Sequence, residues 1–383
     1  MRPDPRRTLL IMSFSPLRSD ARVLRQVRLF SERYAVTTLG YGESPDGVVE
    51  HLRLPDDVVN WHKDRRMLVA RRFEAAYRSA PVVVAARALL EGRSRSFDVV
   101  LADDIDTVPL ALDLAPPGGV HADLHEYHPR QNEENTRWRL FVAPYYRWLV
   151  RTYGTRADSV TTVGEGIARE YRRRFGIRAG VVVNAPNYVE LSPSPVYELR
   201  PLRLVHSGNA QRHRLDVILE AMDLVTRPMT LDLYLMANDT AYLEELQVRY
   251  AASDRVRIHP PVAPHELPAT LNAHDVGVYV LPPVSFNHLW ALPNKIFDFV
   301  QGRLALVVGP SPEMAAVVRR HRIGVVTDDF TAQSLASALD GLTAQDVRGY
   351  KEASADAARE LSAEQQVLAW ERAVDTLAAR LNG

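Results

Sequence analysis

The sequence predicts an α/β protein of two doubly wound domains of similar size. Three observations carry that expectation. Short β-branched runs alternate with longer amphipathic runs along the chain, the pattern of parallel sheets covered by helices. A polar, Pro-rich break, Asn184-Ala185-Pro186-Asn187 and then Ser192-Pro193-Ser194-Pro195, interrupts the alternation near its middle and has linker composition. The length, 383 residues, suits two domains of ordinary size.

In order, the first series predicts strand Thr8–Met12, helix Ala21–Glu32, strand Tyr34–Leu39, strand Val99–Ala102, helix Thr107–Leu114 and strand Val120–Leu124. Helix Trp138–Tyr153, strand Ser159–Val163, helix Glu165–Phe175 and strand Gly180–Val183 follow. Between them, Asn60 to Arg95 reads as helical, with Arg alternating with apolar residues. The second series predicts strands Leu202–His206, Thr230–Met236, Val256–His259, Val276–Leu281, Leu304–Val308 and Gly324–Val326. Its helices are Leu215–Val225, Ala241–Ala251, Pro264–Ala273, Pro293–Gln301, Pro312–Arg320 and Ala332–Leu342. The stretch from Gln345 to Leu381 reads as nearly continuous helix, with Leu361, Val367, Trp370, Val374 and Leu377 as its apolar stripe. The expected division is a first domain over 1–190, a second over 191–360, and a terminal helix over 361–383 packing back on the first. Ligands of such sheets bind beyond the carboxyl ends of the strands. With two such domains, the expected site is the cleft between them.

Composition excludes several classes. Hydrophobic residues make up 46% and charged residues 25% of the chain, as in a globular protein. No apolar run approaches the ~20 residues of a membrane span. The start, Met-Arg-Pro-Asp-Pro-Arg-Arg, leads into too few apolar residues for a secretory signal, so a cytoplasmic location is expected. There is no Cys, hence no disulfide, thiolate metal site or Cys nucleophile. Net charge is zero, yet residues 1–190 carry 29 basic and 24 acidic residues and the remainder 18 and 23. The basic excess gathers at Arg65, Arg66, Arg71, Arg72, Arg78 and at Arg172 to Arg174. It fits contact with an anionic membrane face or ordinary Arg usage, and no aromatic-basic motif supports nucleic-acid binding. Walker A and Gly-x-Gly-x-x-Gly sequences are absent, which weighs against an ATPase and an ordinary dehydrogenase.

The most informative segment is Leu292-Pro293-Asn294-Lys295-Ile296-Phe297-Asp298-Phe299-Val300. Pro suits the first turn of a helix, and a helix start after a strand is ready for an anion. Lys295 beside it suits a phosphate, and Asp298, on the face of Asn294, suits a ribose diol. Ser207-Gly208-Asn209-Ala210-Gln211-Arg212-His213-Arg214 follows the first strand of the second series. Gly208 lets a ligand approach the backbone, and Arg212 and Arg214 form a candidate diphosphate clamp. In the first series Asp123-Leu124-His125-Glu126-Tyr127-His128 ends a strand, placing His125 where it can bond a sugar hydroxyl or leaving group. The His125/His128 spacing alone is a weak metal signal, and no metal is expected. Ser13 to Arg22 joins the first strand to the first helix, with Ser15 in the loop and Asp20 as N-cap. Arg22, unfavourable against the helix dipole, either contacts an anionic acceptor or reflects ordinary Arg usage.

Four segments, Ser19-Asp20-Ala21-Arg22-Val23, Asp123-Leu124-His125-Glu126, Val205-His206-Ser207-Gly208 with Arg212 and Arg214, and Pro293-Asn294-Lys295-Ile296-Phe297-Asp298-Phe299, resemble in this order the retaining glycosyltransferases of family 4. The resemblance spans nearly the whole chain and implies the GT-B fold: two Rossmann-like domains facing a cleft, with the C-terminal helix crossing back. It implies a diphosphate held by Arg212, Arg214 and Lys295 and a ribose held by Asp298. Gly208, Asn209 and Asn294 complete the donor side, and His125 lies near the transferred sugar. Ser15, Asp20, Arg22 and Glu126 fall on the acceptor side. There are departures. The family's acid is usually Glu where this chain has Asp298, and the first acid of its Glu-x7-Glu pattern is replaced by Ala291. The glycine usual after that helix is shifted to Gly302 or replaced by Arg303, and Ser285 to Ala291 stand where a Gly-rich sugar loop is usual. The implied activity is transfer of a sugar from a nucleotide-diphosphate donor to a hydroxyl of a saccharide or glycolipid in envelope synthesis. No cofactor or metal is required, and the inner membrane face is a possible location. A sugar-nucleotide epimerase or hydrolase using Glu126 with Asp103 or Asp104, and an inactive nucleotide-binding subunit, are the alternatives.

Overall fold

Two parallel sheets organise residues 6–382, which this computed structural model describes. The first five residues, part of the stretch read above as lacking a leader, lie outside the described residues, as does Gly383. By its internal contacts the chain divides into two units. One comprises residues 6–183, Ser285–Asn287 and residues 367–382, and the other Asn184–Val284 and His288–Gln366.

In unit 1 the strands are β1 (Arg7–Pro16), β2 (Tyr34–Tyr41), β3 (Glu50–Arg53), β4 (Val99–Asp103), β5 (Gly119–Leu124), β6 (Ser159–Thr162) and β7 (Ala179–Val181). They lie in the order 3-2-1-4-5-6-7, every pair parallel. Its helices are α1 (Ala21–Phe30), α2 (Arg65–Val69), α3 (Phe73–Arg78), α4 (Pro81–Leu89), α5 (Val108–Asp113), α6 (Ala143–Thr152) and α7 (Glu165–Phe175). The sequence predicts one helix over Trp138–Tyr153, but its first turn is a π turn, Trp138–Val142, and α6 starts only at Ala143. Strand β3 lies outside the predicted set, because it is short and only Leu52 is buried. Strands β4 and β5 are buried at every position, as expected of central parallel strands covered on both faces.

Unit 2 holds β8 (Leu202–Asn209), β9 (Met229–Met236), β10 (Val256–His259), β11 (Val276–Tyr279), β12 (Ala305–Val308) and β13 (Gly324–Val326). Their order is 10-9-8-11-12-13, again all parallel. Both orders are the doubly wound arrangement, with the switch point beside the first strand of each sheet. The helices that follow are α8 (Arg212–Leu224), α9 (Thr240–Arg249), α10 (Leu267–Asn272), α11 (Phe286–Leu289), α12 (Asn294–Gln301), α13 (Pro312–His321), α14 (Ala332–Asp340), α15 (Ala344–Ala357) and α16 (Ala363–Gln366).

The predicted terminal helix is three helices, α15, α16 and α17 (Leu368–Ala379). Helix α15 ends at Ala357; beyond it Ser362 is fully buried and the Ala363 amide donates to the Pro186 carbonyl at 2.8 Å in place of a helical partner. The Pro-rich stretch is also tied down. Arg303, at φ 56°, is buried and donates to the carbonyls of Leu191, Val300, Gln301 and Val189. Helix α17 belongs to unit 1, where Trp370, Val374 and Leu377 share a core with Leu9, Ile11, Val23, Val27 and Phe30.

Candidate functional site

Unit 2 gathers its candidate residues at the carboxyl ends of β8 and β11. Gly208 sits at φ 144°, a conformation that disfavours a side chain, and a Cβ there would come within 2.7 Å of Lys295 Cε. Lys295 is in the first turn of α12, whose N-cap, Pro293, offers no side-chain cap. The Ile296 amide donates to the Pro293 carbonyl at 3.2 Å, and the Asn294 and Lys295 amides have no side-chain cap. Arg214 lies in the first turn of α8, its guanidinium 6.0 Å from the centre of the Tyr279 ring, and its Nε is buried without a hydrogen-bond partner. His206, two residues before Gly208 on the same face of β8, is buried, stacks on Tyr279 and hydrogen-bonds the Val278 carbonyl through Nδ1 at 2.9 Å. Burial lowers its pKa to about 4, and Lys295 and Arg214 push in the same direction. It is a neutral imidazole among fixed cations.

Asn209 closes β8 beside Gly208, Asn294 is exposed at the start of α12, and Asp298 is half-buried one turn further on. Arg212 does not join this set. It is exposed, donates to Glu245 Oε2 at 2.7 Å and lies 4.2 Å over the Tyr242 ring. Residues two apart on a helix point to opposite sides, so Arg212 and Arg214 cannot form one clamp. The loop where a Gly-rich segment was expected carries α11, and His288 stacks on His213 at 6.1 Å.

Unit 1 builds a second cluster at the ends of β4 and β5. Asp103 and Asp123 are register partners and both are fully buried. Asp123 takes Arg22 Nε and Nη2, each at 2.7 Å, the Thr161 hydroxyl at 2.7 Å and Gln26 Nε2 at 3.0 Å. Among the described residues, Asp103 accepts from Gln26 alone, at 2.8 Å, and its Oδ2 has no hydrogen-bond partner. His125 Nε2 is 3.6 Å from Asp103 and 3.7 Å from Asp123, and its Nδ1 is 3.5 Å from Asp104. Asp104 sits at φ 64°, uncommon for a non-Gly residue, and its Oδ1 lies 3.5 Å from His128 Nε2.

The electrostatics follow from these distances. Burial would raise Asp123, but the Arg22 guanidinium and His125 hold it well below the usual carboxylate range. Burial, reinforced by the Asp123 charge, raises Asp103 to about 7. Burial would lower His125, yet Asp104, Asp103 and Asp123 together raise it well above an ordinary imidazole. Among the described residues, Asp103, Asp123 and His125 alone have cation-binding spacing. Gln26 already donates to both carboxylates and Arg22 to Asp123, so an added cation would have to displace them.

Arg22 is therefore a correction to both sequence readings. It is neither an acceptor contact nor a surface arginine, being buried as the counter-ion of Asp123 with Nη1 on the Val182 carbonyl. Asp20 caps α1 through the Arg22 and Val23 amides, and Ser15 donates to Asp20 at 2.7 Å. Both side chains thus organise the loop they were expected to offer to an acceptor. Glu126 is exposed and accepts from Asn287 Nδ2 at 3.3 Å. Sequence reasoning missed Gln26, Thr161 and Tyr279, which are ordinary residues in their segments. It also missed the role of His206, which its two-residue spacing from Gly208 could have shown.

No protein-family model matches the chain, and no curated protein matches it by sequence. Solved structures do match its fold. Sucrose-phosphate synthase from Thermosynechococcus elongatus aligns with TM-score 0.69 and 14% identity over 98% of this chain and 100% of that one. A glycosyltransferase from Rickettsia africae gives 0.66 and 11% over 99% of both chains. HepE from Anabaena, solved with UDP and glucose, gives 0.65 and 14% over 97% and 100%. The fold is GT-B: two parallel-sheet α/β units of seven and six strands.

Proposed function

We propose that this chain is a glycosyltransferase that moves a sugar from a nucleotide-diphosphate donor to a hydroxyl acceptor, with retention at the anomeric carbon. The observation that carries the reading is the cationic cluster at the ends of β8 and β11 in unit 2. Lys295 and Arg214 both act on His206, and Lys295 packs against Gly208, whose missing side chain leaves room for it. Cations and uncapped helix amides stabilise charge developing on a departing diphosphate. The acceptor proton can pass to that phosphate, so the mechanism needs no metal and no protein nucleophile. Asp298 holds the ribose, and Asn294 and Asn209 border it. The GT-B relatives support the reading, HepE through its UDP and glucose complex. The acceptor we propose is a saccharide or glycolipid of the cell envelope, met in the cytoplasm at the inner membrane face.

The test is calorimetry with UDP, GDP, dTDP and ADP. One of them should bind. Lys295→Ala should lose affinity for that diphosphate and keep affinity for its nucleoside. Asp298→Ala should lose affinity for both, by about 1.5–3 kcal/mol per lost bond to the charged group. Equal loss in Lys295→Ala for diphosphate and nucleoside would remove Lys295 from the phosphate site. Failure of all four nucleotides to bind would end the transferase reading.

A further inference from the structure

The connection from β11 to α12 has a feature that the transferase reading leaves unused. It runs from Val280 to Pro293, 14 residues, where strand-to-helix connections usually take about 2–6. Both of its ends lie in the cation cluster, with Tyr279 facing Arg214 before it and Lys295 just beyond it. Its middle does not: Ser285–Asn287 belong to unit 1 by their contacts. Loops of this length are usually functional or disordered, and the centre of this one is tied down.

Phe286 fills a seat made by the segment that follows β5. It is 8% exposed, with its ring 5.1 Å from that of Tyr127 and 4.7 Å from the Arg130 guanidinium. Tyr127 packs in turn on Tyr171 and Phe175 of α7, at 5.0 and 6.4 Å. Polar bonds fix the seat. The Phe286 amide donates to Glu133 Oε1 at 2.7 Å, and Arg130 Nη2 holds the same oxygen at 3.0 Å. Asn287 Oδ1 accepts the Tyr127 amide at 3.2 Å, and its Nδ2 donates to Glu126 at 3.3 Å. A buried aromatic flanked by paired polar groups is a specific contact. Past the seat, His288 stacks on His213 in the first turn of α8, and the Ala291 amide closes a turn on the His288 carbonyl at 3.3 Å. Pro282, Pro283 and Pro293 restrict the backbone on either side. With its centre seated and its arms stiffened, the connection has few ways to place Lys295.

We propose that Ser285–Asn287 is a clasp that positions the start of α12, and with it Lys295, from a seat in unit 1. Phe286 and Asn287 are positioning residues that act through the connection. The clasp itself is independent of the transferase reading, and its effect on diphosphate affinity rests on that reading.

The experiment is amide hydrogen exchange on the full chain carrying Glu133→Ala. This variant removes the acceptor of the Phe286 amide and alters no residue of the connection. Exchange should quicken at Phe286 and, beyond it, at Ala291 and Ile296, whose amides close the turn and open α12. Amides of β1 and β8 should exchange as in the parent, which shows that both sheets stay folded. Quickening confined to Phe286 would overturn the proposal. The second variant is Phe286→Ala, read by calorimetry with whichever of UDP, GDP, dTDP and ADP the parent binds. It should bind that diphosphate about ten-fold more weakly and the nucleoside as the parent does. Phe286→Leu, which refills the seat, should recover most of the difference. Parent-like diphosphate affinity in Phe286→Ala would also overturn the clasp. If the parent binds none of the four, the transferase reading falls, and exchange at Ala291 and Ile296 still decides the clasp.

Discussion

Asp103 and Asp123 face each other across β4 and β5 with one guanidinium between them. Arg22 takes both oxygens of Asp123, and Asp103 is left with the amide of Gln26. Two adjacent buried carboxyls, of which only Asp123 is bonded to a guanidinium, do not both ionise readily. The proton stays on Asp103, whose pKa rises to about 7 through burial and the Asp123 charge. The sign of the stability effect follows. Unfolded, Asp103 ionises near its ordinary value of about 4. As pH rises from there, the unfolded chain releases this proton first, so the residue's contribution to stability falls until about pH 7 and is then constant. Asp103→Asn keeps the shape of the protonated carboxyl and removes the titration. In urea unfolding, the variant should therefore gain relative to wild type between pH 4.5 and 7.5. A constant difference across that range would mean Asp103 is already ionised at the acid end. His125 runs beside it. Its raised pKa makes its contribution full below about 6.5 and lost only as pH passes its higher folded value.

At the scale of elements, the β8 end and the α12 start form one device. Ala at 208 would place a methyl 2.7 Å from Lys295 Cε and demand a φ of 144°. Lys295 is flexible at that end and can swing away, so Gly208→Ala should fold, with a strain cost of about 1–3 kcal/mol. It should lose affinity for the nucleoside diphosphate and keep affinity for the nucleoside. Undiminished diphosphate binding by calorimetry would show that Lys295 is not the group the glycine accommodates. This device was legible in the sequence because both halves break local rules, a Gly ending a strand and a Pro-Asn-Lys opening a helix. Arg22 was not, because its partner Asp123 is 101 residues away and nothing near either residue announces the pair. Arg212 and Arg214 looked equivalent as letters, and only the helical start at Arg212 sends them apart. Arg303 stands next to the position of an expected glycine, in a left-handed conformation. Its four carbonyl contacts offset a conformational cost that on its own favours Gly. The predicted single C-terminal helix failed for a similar reason: between its pieces Ser362 is buried and the Ala363 amide bonds the distant Pro186 carbonyl, with no Gly or Pro at the breaks.

At the scale of the whole molecule, the strand alternation was legible because parallel strands buried on both faces read as apolar runs, and two doubly wound sheets follow from it. The end of the chain is where the molecule depends most on distant sequence. Trp370 is 1% exposed in a core it shares with β1, α1, β2 and β4, and Arg22 lies 4.6 Å over its ring. Trp370→Ala removes the largest fully buried side chain of that core and the aromatic face under a buried guanidinium. The loss should be about 3–5 kcal/mol, with the cation–π contribution of about 1–2 kcal/mol included. Amide hydrogen exchange locates the effect. Amides of β1 and β4 should lose protection in the variant, while those of β8 and β11, whose core lies in unit 2, should keep it. Nucleoside diphosphate affinity should then persist at temperatures where β1 already exchanges freely. Equal loss of protection in both sheets would mean that the chain opens as one cooperative body, and that α17 stabilises the sheet of unit 2 as much as the sheet it packs on.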